Sequence, residues 1–175
     1  MIIKDNNFRV MKLFFDSPDK SFYVRQISRL TRLSPPGILK IAGKLKREGL
    51  LVSKKEKVVE EISASRSEKF IHLKLCYNIL ALFDSNLINF LRDVYEEPEA
   101  IVVFGSFARG EDISTSDIDI AVVTGKRANV SLKNFEKHIS RKINVYEIKL
   151  AECQPQFLNN LANGYVLYGR LEVVR

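Results

Sequence analysis

Two aspartates one residue apart, Asp117 and Asp119, stand ten residues beyond a Gly105-Ser106 pair that ends an apolar run from Ala100 to Phe104. A second apolar run, Ile120 to Val123, follows them. Apolar run, glycine, polar crossing and second apolar run read as two buried strands with their ends brought together. Alternate side chains of a strand point the same way, so Asp117 and Asp119 share a face while Ile118 and Ile120 turn into the core. Two carboxylates a pleat apart suit a hard cation that takes oxygen ligands, above all Mg²⁺. Gly105 lets a ligand approach the backbone, amides after a strand can receive phosphate oxygens, and the Ser106 hydroxyl adds a donor. Arg109 offers a planar fork to a nucleotide phosphate, or pairs with Glu111 or Asp112 on the surface. Together these groups can hold a triphosphate against one or two cations, the apparatus of in-line phosphoryl or nucleotidyl transfer. The bland alternative is a solvated turn with incidental acids.

Gly105-Ser106, ten residues and Asp117-x-Asp119 resemble the signature of the polymerase-beta-like nucleotidyltransferase superfamily. The fuller run, Gly-Ser-Phe-Ala-Arg-Gly followed by Ser-Asp-Ile-Asp, resembles its small prokaryotic branch, the minimal nucleotidyltransferases. The likeness covers roughly residues 98–170. It implies a nucleoside triphosphate with Mg²⁺ held by Asp117 and Asp119, and Gly105, Ser106 and Arg109 on the nucleotide. It also implies a third acidic ligand on a later strand, here Lys142 to Ile148, where the best-matching position is Asn144. Glu147 is the nearest acid, but its odd spacing from Asn144 puts it on the opposite strand face. An asparagine amide can ligate a metal through its oxygen but cannot take a proton. Either two aspartates with Asn144 suffice for transfer, or the pocket binds nucleotide and turns it over slowly or not at all.

These residues need a scaffold. Around them the sequence predicts a helix from Asn129 or Ser131 to about Ser140, a strand over 142–148, a helix over 155–162 with Phe157, Leu158 and Leu161 inward, and a short terminal strand or turn over 164–169. Upstream, apolar residues from Phe70 to Phe83 and from Leu87 to Tyr95 repeat at helical spacing, with a break near Asp84-Ser85-Asn86, and Pro98 stops the run. That much apolar surface is buried against the sheet or against a second subunit, and a homodimer would suit a two-fold DNA reader.

The charge is uneven. Residues 1–66 hold fifteen Lys/Arg and seven Asp/Glu, a balance of +8; residues 67–175 hold thirteen and fourteen, a balance of −1, and the two sum to the net +7. A basic module that meets a polyanion is thus joined to a near-neutral one. The basic third reads as a helix over Asn7–Phe15, a helix over about Val24–Leu30 carrying Ile27 and Leu30, and a helix over about 35–48. Ser34 is the N-cap of the last, Pro35 its first residue, and Gly49 closes it. Ile38, Ile41, Ala42 and Leu45 form its buried stripe. Two strand-like runs around Lys54, Lys55 and Lys57 follow as a hairpin with a basic tip. Three helices and a hairpin resemble a winged helix-turn-helix, which implies double-stranded DNA as partner. Lys40, Lys44, Arg47, Lys54, Lys55 and Lys57 are expected on phosphates, which give affinity rather than sequence choice.

The expected fold is α/β (α+β): residues 1–66 a winged helix-turn-helix, 67–97 a helical connector, and 98–175 a small nucleotidyltransferase palm with a mixed sheet. No apolar stretch reaches transmembrane length and no signal-peptide pattern opens the chain, so a cytoplasmic protein with free Cys76 and Cys153 is expected. His72 and His138 have no neighbours at metal-ligand spacing. Three functions stay open: a transferase acting on a protein, small-molecule or nucleic-acid hydroxyl; a transcription regulator with a nucleotide-sensing palm; and an antitoxin-like partner of a separate toxin chain.

Overall fold

A computed structural model of the chain describes residues 5–56 and 59–172. It divides into two compact units, Met1–Lys74 and Leu75–Arg175.

The first unit opens with α1 (Asn6–Asp16), capped by Asp5, whose carboxylate accepts from the Asn7 amide at 3.1 Å. A three-residue strand β1 (Ser21–Tyr23) leads into α2 (Val24–Thr31) and α3 (Pro35–Arg47), and then into β2 (Leu51–Glu56) and β3 (Val59–Ala64). The start of α3 is as expected: the Ser34 hydroxyl accepts from the Gly37 amide and Pro35 occupies the first turn. Ile38, Ala42 and Leu45 are buried and Ile41 half-buried, so one stripe faces the core.

Two features of this unit go beyond those expectations. Leu30 is 57% exposed, and Thr31 is buried in its place, its hydroxyl donating to the Ile27 carbonyl at 2.7 Å. Self-satisfaction of the hydroxyl one turn back lets a polar residue take the inward position. The hairpin of β2 and β3 forms as expected, and a third strand joins it: β1 pairs antiparallel with β3, giving the order β1-β3-β2. Phe22 explains the added strand, since it sits opposite Ile62 and its ring meets Phe14 edge-on at 5.4 Å. Lys57, expected at the hairpin tip, lies outside the described residues, and Lys55 is placed by its backbone alone, opposite Glu60 on β2.

The division between units falls inside α4 (Glu68–Asp84). The chain then breaks where expected, with Asn86 left-handed, before α5 (Leu87–Val94). In order come β4 (Ala100–Phe104), the one-turn helix α6 (Gly105–Arg109), β5 (Ile118–Val123), α7 (Lys133–Ile139), β6 (Ile143–Ile148), a 3-10 turn (Leu150–Glu152), α8 (Pro155–Ala162) and β7 (Tyr165–Gly169). The sheet order is β6-β5-β4-β7; β5 runs parallel to β6, and β4 runs antiparallel to both of its neighbours. Neither Asn129 nor Ser131 caps α7: Leu132 precedes its first turn, with no side-chain cap. Packing of Leu132, Phe135 and Ile139 on the core holds this helix instead.

Both faces of the second sheet are covered. Ile101, Val103, Ile118, Ile120, Val122 and Ile143 pack with Leu87, Ile88 and Leu91 of α5. On the other face, Ala100, Val102, Phe104, Ala121 and Val123 pack with Leu161 of α8. The period of two therefore assigns Asp119 and Asn144 to the α8 face, at the end of the sheet where apolar cover runs out.

Candidate active site

Register brings the site together. Asp119 of β5 lies opposite Phe104, the last residue of β4, and opposite Asn144 of β6. Gly105 follows Phe104 with φ +76°, a left-handed conformation that favours glycine, and a Cβ there would stand 3.0 Å from Asp119 Oδ2. The turn can therefore reverse beside the carboxylate only without a side chain. Ser106 is half-buried in α6, and Gly110, also left-handed, ends that helix.

Asp117 immediately precedes β5 and Asp119 lies within it, and their carboxylates meet at one common neighbour. The Asn144 amide donates to both, at 3.3 Å to Asp117 Oδ2 and 3.1 Å to Asp119 Oδ1. The Tyr146 hydroxyl donates to Asp119 Oδ1 at 3.3 Å, and Lys142 Nζ stands 3.9 Å from Asp117 Oδ2. Burial, then the Asp119 carboxylate, pushes the Tyr146 phenol above its usual range. The Tyr146 ring is 40% exposed and leans on Phe104, centroids 5.7 Å apart, while Phe157 of α8 meets Phe104 edge-on. Sequence reasoning missed Tyr146, although its even spacing from Asn144 was a usable signal.

Glu147 is on the opposite face, as its odd spacing requires. It accepts from the Tyr95 hydroxyl at 2.8 Å and from the Ala128 amide at 2.7 Å. The Arg109 Nε donates to Glu111 at 2.7 Å in an exposed pair, the alternative that the sequence left open. Asp112 is not a surface acid. It is 1% exposed, accepts from Asn78 Nδ2 at 2.7 Å, and stands 3.6 Å from Arg141 Nη2.

Among the described residues no group of three or more His, Cys, Asp or Glu side chains is gathered as a metal site. The pair nonetheless suits a hard divalent cation. Two carboxylates converge on one amide, and rotating that amide turns its oxygen into the same space, giving an all-oxygen donor set.

In the first unit, Lys40, Lys44 and Arg47 lie exposed at i, i+4 and i+7 of α3, and Lys54 is exposed on β2. Lys44 stands 3.9 Å from Glu48, an exposed pair worth little. Lys46, between them in sequence, is instead drawn to Glu60 at 2.5 Å.

A mixed sheet with Asp119 on an inner strand and Asp117 just before it, beside a Gly-Ser turn at the end of the neighbouring strand, is consistent with a nucleotidyltransferase domain of α+β type. Residues 85–172, half of the chain, match the family described as Polymerase beta, Nucleotidyltransferase, and the chain belongs to that family. Nucleoside triphosphates are the substrate class of such domains, and a divalent metal is typical of them. Comparison with curated proteins gives no match. Among the described residues no helix is long and apolar enough to cross a membrane.

Proposed function

We propose that the second unit transfers a nucleoside monophosphate from a nucleoside triphosphate to a hydroxyl acceptor, with Mg²⁺, and that the first unit is a winged helix-turn-helix that binds double-stranded DNA. The convergence of Asp117, Asp119 and Asn144 on one point beside Gly105 is the observation that carries the transferase reading. When bound there, the cation neutralises the triphosphate and polarises its phosphoryl oxygens. Asp117 and Asp119 would hold it, and Asn144 would complete the set through its amide oxygen. Gly105 admits the triphosphate close to the backbone, and Ser106 donates to a phosphate oxygen. The acceptor oxygen forms a bond to the alpha phosphorus, the bond to the bridging oxygen breaks, and pyrophosphate leaves with that electron pair. Asn144 cannot take the acceptor's proton, which leaves a carboxylate of the pair or water to receive it.

For the first unit the support is helix order, the strand pair after α3, and the exposed cationic row of Lys40, Lys44 and Arg47 with Lys54 nearby in sequence. DNA phosphates suit that row. The chain is then a DNA-tethered or self-regulating transferase.

A second reading has its own observation. Asn144 replaces an acid with a neutral group that already bonds both carboxylates. A palm of that kind can sense nucleotide without consuming it, in a regulator or an antitoxin-like partner of another chain. Incubating the pure protein with each of the four triphosphates and Mg²⁺, read by intact mass and pyrophosphate release, separates the two. The transferase reading expects pyrophosphate, abolished by Asp117→Asn with Asp119→Asn. Saturable nucleotide binding with no pyrophosphate from any of the four, with candidate acceptors added, would leave only the sensor.

A further inference from the structure

Asp119 is fixed by the sheet, with a strand on each side of it. Asp117 is not: β5 begins one residue later, at Ile118. Its position depends on the crossing segment from Gly110 to Ser116, which includes no helix or strand. That segment is held from within the fold. Asn78 Nδ2 donates both to Asp112 Oδ1 at 2.7 Å and to the Phe107 carbonyl at 2.8 Å, joining α4 to α6 and to the crossing. From the other side Arg141, in the turn before β6, approaches Asp112 Oδ2 at 3.6 Å and donates from Nη1 to the Ser114 carbonyl at 3.0 Å. The side chains of the ion pair are 8% and 0% exposed. Ser116 then closes a small turn, its hydroxyl and its amide both engaged by Ile113. One residue beyond Arg141, the Lys142 carbonyl accepts from the Ile118 amide at 2.8 Å, immediately after Asp117.

A buried ion pair is a poor device for stability alone, because apolar residues of similar volume often serve as well. It is a good device for fixing geometry, since both charges demand their partners in one arrangement. We propose that Asp112 and Arg141, with Asn78, are positioning residues for Asp117, setting its carboxylate against that of Asp119 for a divalent cation. This rests on the reading of Asp117 and Asp119 as the cation pair. The network's role is indirect. It acts as the outer support of one ligand, and losing such support typically weakens metal binding about 10- to 100-fold.

The test uses the full chain and Mn²⁺ alone, with free Mn²⁺ followed by electron paramagnetic resonance and Tm recorded for each variant. Asp112→Asn keeps an acceptor for Asn78 while removing the charge. Asp112→Asn combined with Arg141→Gln removes both charges, so no lone buried ion opposes folding. Leu91→Ala, which empties part of the α5 core, is the control for general loosening. The double variant is expected to bind Mn²⁺ about 10- to 100-fold more weakly, while Leu91→Ala loses Tm but not affinity. Unchanged Mn²⁺ affinity in the double variant overturns the inference, as does an equal loss in Leu91→Ala. If the wild type and Asp117→Asn with Asp119→Asn are equally blank, the cation pair itself falls and this role falls with it.

Discussion

On the proposed reading of the site, Asn144 is the residue on which the chemistry turns. Its amide stands where a third carboxylate would complete the ligand set, and its two donations hold Asp117 and Asp119 together without a third negative charge. Asn144→Asp therefore has opposite effects with and without metal. In a chelator three carboxylates repel one another and the two donations are lost, so stability falls by about 1.5 kcal/mol or more, a few °C in Tm. With millimolar Mg²⁺ the added charge becomes a ligand, Tm recovers, and transfer at limiting Mg²⁺ rises roughly 10-fold. Differential scanning fluorimetry with and without chelator, alongside pyrophosphate release, checks both halves; a variant whose Tm ignores Mg²⁺ would remove Asn144 from the ligand set. Tyr146 makes a lesser contribution. Its hydroxyl competes with a cation for Asp119 Oδ1, so Tyr146→Phe is expected to bind Mn²⁺ slightly more tightly, by about 2- to 5-fold for one exposed hydrogen bond of roughly 0.5–1 kcal/mol. A weaker affinity in that variant would mean the phenol supports the ligand instead.

Among the elements, β6 shows best how a strand divides its duties. One face gives Asn144 and Tyr146 to the site, while the other gives Glu147 to the Tyr95 hydroxyl at the end of α5. Burial first, then the hydrogen bond to Glu147, holds the Tyr95 phenol well above its usual pKa. The folded state thus favours the neutral phenol. Its contribution is complete below the unfolded value of about 10 and is lost as pH rises toward the folded value. Tyr95→Phe should be less stable than wild type by about 1.5–3 kcal/mol at pH 8, and urea titrations at pH 8 and pH 11 should show that gap narrowing at the higher pH. A constant gap would dissociate the phenol's ionisation from folding. The face assignment of Glu147 was legible in the sequence because parity along a strand needs no partner to be known. The Ser34 cap, the break at Asn86 and the Asp-x-Asp pair were legible for the same reason, each being a local rule. Asp112 with Arg141, Asn78 with Asp112, and β1 with β3 were not, because those pairs join residues far apart in sequence and follow no period. The exposure of Leu30 was not legible either, because helical spacing alone cannot say where the core ends.

On the scale of the whole molecule, two units of different charge carry two different expectations. The family likeness begins at residue 85, so the basic first unit lies outside it, and its balance of +8 over residues 1–66 is left unaccounted for by that likeness. If the partner of that unit is DNA, affinity comes mainly from neutralised phosphates and falls steeply with salt. Replacing Lys40, Lys44 and Arg47 together by Ala should then flatten the log–log salt dependence of duplex binding by about 0.9 for each phosphate left unneutralised, roughly 2.7 in all, in a fluorescence anisotropy titration. An unchanged slope would move the DNA-binding surface off α3. The same titration, run with Mg²⁺ and each nucleotide, asks whether the units communicate. A transferase merely tethered to DNA keeps one duplex affinity in all conditions and releases pyrophosphate. A sensor changes duplex affinity when nucleotide binds and releases none, and by reciprocity DNA must change its nucleotide affinity by the same factor. The two-carboxylate site permits both, because binding needs only the convergence of Asp117, Asp119 and Asn144, whereas turnover also needs a destination for the acceptor's proton.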